Sequence, residues 1–132
     1  MERNSLHTVT ASQMYKFYNR NPVNRRLPDC VCRAMSLALR KPYGYTMAWL
    51  TDNGICYDCD DLTVECYSNI LREEGYETSD ANDRTVEQLC CEYPDNILLV
   101  RLNGHLTCCI NGDCYDIWDC TNEKAERFWI IK

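Results

Sequence analysis

The spacing of apolar residues changes near Asn96. Before that point they recur every three or four residues, and after it they fall into short blocks of strand type. Val31, Ala34, Met35, Ala38 and Leu39 mark a buried helix over residues 30–40, with Asp29 as its N-cap and Lys41-Pro42 as its end. Upstream, Ala11–Asn19 carries Met14, Tyr15, Phe17 and Tyr18 and predicts a short helix with an aromatic face. Asn21–Pro28 reads as loop, because two prolines interrupt it. Tyr45–Leu50 predicts a further helix, Thr51–Asp61 an irregular stretch, and Leu62–Glu74 an amphipathic helix stopped by Gly75. Thr85–Glu92 is a short helix whose Thr85 and Gln88 stand at capping-box spacing. Four strands follow, over Ile97–Leu102, His105–Ile110, Cys114–Trp118 and Glu126–Ile131. Asn111-Gly112, between the second and third, is a two-residue hairpin turn.

Helices first and antiparallel strands afterwards define the α+β class, with N-terminal helices packed on a C-terminal antiparallel sheet. The 132 residues correspond to one domain, 1–132, in which residues 1–9 have no period and read as a loose arm.

Composition narrows the function classes. A net charge of −6 argues against a nucleic-acid partner, because phosphate affinity comes from clustered Lys and Arg. Ile97-Leu98-Leu99-Val100 is among the longest apolar runs and is far too short for a bilayer, and the first residues form no signal-peptide core. The chain therefore reads as cytoplasmic, without membrane contact. Eleven cysteines are an odd number, which does not suit a secreted disulfide scaffold. They read as reduced thiols, most of them small buried hydrophobes.

Two histidines limit the possible thiol chemistry. His7 falls in the arm, whereas His105 opens a strand after Asn103-Gly104. Imidazole is the side chain whose proton affinity suits a base near neutrality, so His105 is the candidate base. Cys30 directly follows the N-cap, where helix N–H groups and partial positive charge favour a thiolate and can donate to an oxyanion. Cys32 lies about 200° around the same helix, so only one of the two faces a given cleft. If Asn111-Gly112 is the turn, Thr107 pairs with Asp116, and His105 shares a sheet face with Asp116. Asp116 is then the candidate to orient the imidazole, with Asp119 in reserve.

A Cys opening a buried helix, a Gly-His opening a strand and an acid on the next strand is the chain order of papain-like cysteine peptidases. Asn21-Pro, Asp29-Cys30-Val-Cys-Arg33-Ala34 and Gly104-His105…Tyr115-Asp116-Ile-Trp118-Asp119 also resemble strings in small papain-like proteins of bacteria and phages, over about residues 15–132. The resemblance implies a papain-like fold and a site of Cys30, His105 and Asp116. That site would cleave or transfer an amide or isopeptide bond of a peptide or protein substrate, with no cofactor. It also implies an oxyanion-donating amide six residues before the nucleophile. Asn24 stands there in place of the usual Gln, and Asn21 is the reserve.

Two other classes remain open. One is a catalytically silent papain-like module that binds a host factor. The other is a small zinc module, for which Cys56 and Cys59 form the single CxxC of the chain. Arg20, Arg25, Arg26, Arg33 and Arg40 cluster around the core helix, where they can either hold a carboxylate ligand or pair with local acids.

Overall fold

The computed structural model describes residues 14–22, 29–57 and 63–132, with the side chains of 55–57 excepted. The expected arm over residues 1–9, Asn24, the Cys56 side chain and Cys59 lie outside the described residues. In chain order the elements are β1 (Tyr15–Phe17), α1 (Cys30–Ala38), α2 (Tyr43–Tyr57), α3 (Val64–Glu73), β2 (Thr78–Asp80), α4 (Val86–Glu92), β3 (Ile97–Leu102), β4 (His105–Ile110), β5 (Asp113–Asp116) and β6 (Arg127–Ile131). The strands form one open sheet in the order β1-β5-β4-β3-β6-β2. All pairs are antiparallel except β1 with β5. The fold is α+β, with helices interspersed among the strands.

β3 is central, and its apolar run reflects burial on both sides. Leu98, Val100 and Leu102 pack on one face with Val86 and Leu89 of α4 and with Phe128. Leu99 points to the other face and packs with Val31, Met35, Tyr67, Ile70, Leu106 and Trp129, beneath α1 and α3. The hairpin forms on Asn111 and Gly112, both left-handed with φ of 51° and 85°, and pairs Ile110 with Asp113. The α4 capping box also forms, Thr85 and Gln88 each bonding the other's backbone N–H.

Several expected elements are corrected. Tyr15–Phe17 is a strand rather than part of a helix, because β5 offers an edge whose backbone groups it satisfies, from Tyr15 opposite Cys114 to Phe17 opposite Asp116. α2 continues through residues 51–57, which were expected to be irregular. Thr51 and Asn53 bond back to the carbonyls of Met47 and Trp49, so these polar residues line the helix instead of ending it. α1 closes at Ala38, two residues early, with Arg40 left-handed at φ 56° before Pro42. Asp29 precedes α1 but makes no side-chain cap, since its carboxylate is taken by Arg33, Asn21 and Tyr43. β5 ends at Asp116 rather than Trp118, where the Ile117 N–H bonds back to the Asp116 carboxylate at 2.7 Å. β2 was not foreseen; it is three exposed residues that pair with β6. Among the described residues no helix is long and apolar enough to cross a membrane.

Candidate functional site

α1 delivers Cys30 at its first residue, half-buried against the start of β4. Cys30, His105 and Leu106 line one cavity, and the imidazole and the Leu106 N–H both act on the thiol to favour its charged form. Burial alone pushes the thiol up. The His105 bond, the Leu106 N–H and the positive charges of His105 and Arg33 outweigh it, so Cys30 sits below its ordinary value. His105 Nε2 lies 2.7 Å from Asp116 Oδ2. Burial pulls His105 down, but the Asp116 and Cys30 bonds overcome it and raise the imidazole to about 9. Asp116 is held below its ordinary value: burial opposes this, but the His105 bond and charge, Thr107 and the Ile117 N–H together win. The three shifts run the same way, each toward the charged form of its group.

The surroundings differ on the two sides of the sulfur. On one side a cavity of about 440 Å³ is lined by Val31, Val64, Tyr67, Leu106, Gly104 and His105. On the other a cavity of about 10 Å³, the size of one water, is lined by Tyr18, Arg20, Arg33 and Asp116 among others. Trp118, 40% exposed, packs against His105 with ring centroids 5.1 Å apart and planes tilted by 54°.

The remaining candidates are placed as follows. Cys32 is fully buried, its thiol on the Tyr43 carbonyl at 3.5 Å, and burial together with the Asp29 charge pushes it up to about 12. Asp119 accepts from the Thr121 N–H and hydroxyl. Asn21 is buried, and its amide donates to Asp29 at 3.1 Å and to Tyr43 at 3.5 Å. All nine cysteines whose side chains are described carry free thiols.

One participant is absent from the sequence reading. Cys120 is buried, with its sulfur 3.9 Å from Asp116 Oδ2 and 3.7 Å from Cys114 Sγ. Ligand atoms of His105, Asp116 and Cys120 all lie within 4.8 Å of one another. This cluster can ligate a metal ion or act catalytically. Among eleven cysteines no local signal distinguishes Cys120; only its return to Asp116 after β5 does.

No protein-family model, no curated protein and no solved structure matches the chain.

Proposed function

We propose that this is a papain-like thiol hydrolase or acyltransferase that cleaves or transfers an amide or isopeptide bond. The observation that carries the reading is His105 set between Cys30, with which it lines one cavity, and Asp116, to which it is bonded at 2.7 Å. In this mechanism the Cys30 thiolate attacks the carbonyl carbon, and the carbonyl oxygen takes the electron pair. Helix-start N–H groups of α1 have no intrahelical acceptor and stabilise that oxyanion. Collapse of the intermediate expels the amine, which takes its proton from His105, and leaves a thioester. Water then attacks with His105 as base and releases the acid; in a transferase an amine takes the place of water. Asp116 fixes the ring orientation and stabilises the imidazolium. The apolar cavity beside the sulfur suits an acyl group with an aliphatic or aromatic side chain.

The test is competitive alkylation. With limiting iodoacetamide at pH 6.5, Cys30 is expected to label first, because an ordinary thiol of pKa about 8.5 is only about 1% ionised there. If Cys30 labels no faster than the exposed Cys91, the enzyme reading falls and a silent binding module takes its place.

A second reading has its own support. Imidazole, carboxylate and thiolate are a zinc-type donor set, and in His105, Asp116 and Cys120 they stand together without any substrate having to be supposed. On ligand geometry alone, a metal-binding module is supported more directly than amide cleavage. These donors differ from Cys56 and Cys59, on which the sequence reading based its zinc site. The two functions compete for the same atoms: a metal between His105 Nε2 and Asp116 Oδ2 would displace the proton they share at 2.7 Å. Equimolar zinc surviving dialysis, lost in Cys120→Ser, would select the metal reading. Cys30-selective labelling unchanged by a chelator would select the thiol reading.

A further inference from the structure

Arg33 enters the account above only through its charge on Cys30, yet it is more deeply buried than the His105 base. It follows Cys30 by one turn of α1, and its side chain is only 8% exposed. Its Nη1 meets Asp29 Oδ1 at 2.8 Å, and its Nη2 points to Asp116 Oδ1 at 3.9 Å. Each aspartate gives its other oxygen elsewhere. Asp29 Oδ2 accepts from the Tyr43 hydroxyl at 2.5 Å and from Asn21 at 3.1 Å, and Asp116 Oδ2 faces His105 at 2.7 Å.

We propose that Arg33 is a positioning residue: anchored by Asp29, its guanidinium holds Asp116 so that one carboxylate oxygen faces His105. The inference rests on the thiol reading and deepens it. Burying an arginine costs several kcal/mol unless its charge is matched. A surface pair with Asp29 would need no such burial. The side chain instead enters the space between α1 and β5, where its charge lies between two acids. Signs then alternate from Asp29 through Arg33, Asp116 and His105 to Cys30. Arg20 shares the small cavity but is tied to Ser36, Tyr18 and the Lys41 carbonyl. Tyr15 and Tyr18 bond to the Asp116 backbone carbonyl, and the Ile117 N–H donates to Asp116 Oδ1 at 2.7 Å. Of these neighbours, Arg33 is the cation placed to set the angle of the Asp116 carboxylate.

The test compares Arg33→Met, Arg33→Gln and Arg33→Lys by two readouts at fixed pH 6.5. One is the Cys30 alkylation rate. The other is the low-field proton resonance of the His105 ring N–H bonded to Asp116, assigned by its loss in His105→Ala. Arg33→Met and Arg33→Gln are expected to slow labelling about fivefold and to broaden or shift the resonance, in line with residues that act through a partner. Arg33→Lys, which keeps the charge, should return within about twofold of wild type and restore the resonance. Wild-type rate and resonance in a folded Arg33→Met or Arg33→Gln would overturn the proposal. So would failure of both neutral variants to fold, which would make Arg33 a structural residue. If wild-type Cys30 shows no labelling advantage, the thiol reading is what fails. The resonance then decides Arg33 separately: unchanged in the neutral variants, it overturns the positioning role; lost in them and restored by lysine, it upholds it.

Discussion

The two flanks of Cys30 are built from opposite materials. Toward α3 lies a wide, mainly apolar cavity lined by Val31, Val64, Tyr67 and Leu106, with Glu65 and His105 as the charged groups on its wall. Toward β5 the sulfur borders Arg33 and Asp116, with room for little more than a water. The apolar flank gives space and the charged flank gives orientation. Low-dielectric walls strengthen the charge–charge interactions behind the sulfur, while in front the described residues leave a cavity beside it. A nucleophile needs both, and a merely structural cysteine needs neither. Cys32, on the far side of the same helix, shows the contrast: packed on every side, it is pushed up to about 12.

Removing the charged flank should have the largest effect. His105→Ala leaves Cys30 without its base and is expected to slow iodoacetamide labelling at pH 6.5 by about thirtyfold. The thiolate share falls to about 1%, and the greater nucleophilicity of the more basic thiolate recovers only part of the loss. A circular dichroism spectrum unchanged from wild type would show that the loss is chemical. Labelling at the wild-type rate would mean that the imidazole does not activate the thiol.

The His105–Asp116 pair should also appear in stability. A Cys30→Ser background isolates it from the thiol. A histidine raised on folding contributes stability that is fully present below its unfolded value of about 6.5 and is lost as pH rises through the folded value. The lowered Asp116 contributes above its unfolded value and loses this as pH falls through its folded one. Urea unfolding of Cys30→Ser against Cys30→Ser/His105→Ala should therefore differ by about 1–2 kcal/mol at pH 6, and the gap should close as pH rises through the folded His105 value. A gap that widens with pH would reverse the charge pattern.

The apolar flank predicts a smaller, selective effect. Val64→Asp puts a charge at the cavity mouth on a residue already 44% exposed, so the fold should tolerate it. A benzyl-bearing alkylating agent is expected to lose about fivefold relative to iodoacetamide, the value of a partly buried ring. Equal loss for both reagents would show that the cavity does not contact the probe. Smallest of all, Cys32→Ser should leave the Cys30 labelling rate within about twofold while lowering stability by about 1 kcal/mol, as a core substitution that keeps its bond to the Tyr43 carbonyl.

What the sequence determined by itself is what near neighbours control. Apolar spacing defined α1 through residues 31–38, since a helix bonds each residue to one four away. Asn111-Gly112 set the β4–β5 turn because two left-handed residues are needed there, and Thr85 with Gln88 set the start of α4. The turn, with the side-chain period of two, was also enough to put His105 and Asp116 on one face. The tertiary structure alone decided the rest. Tyr15–Phe17 became a strand because an edge formed by residues about a hundred positions later was there to pair with it. Asp29 left its capping role because Arg33, Asn21 and Tyr43 converged on its carboxylate. Cys120 joined the site because the chain turned back after Asp116. Nor could spacing assign the charges of Cys30, His105 and Asp116, because these depend on the distance between groups that different elements carry and on how much water the packing between them excludes.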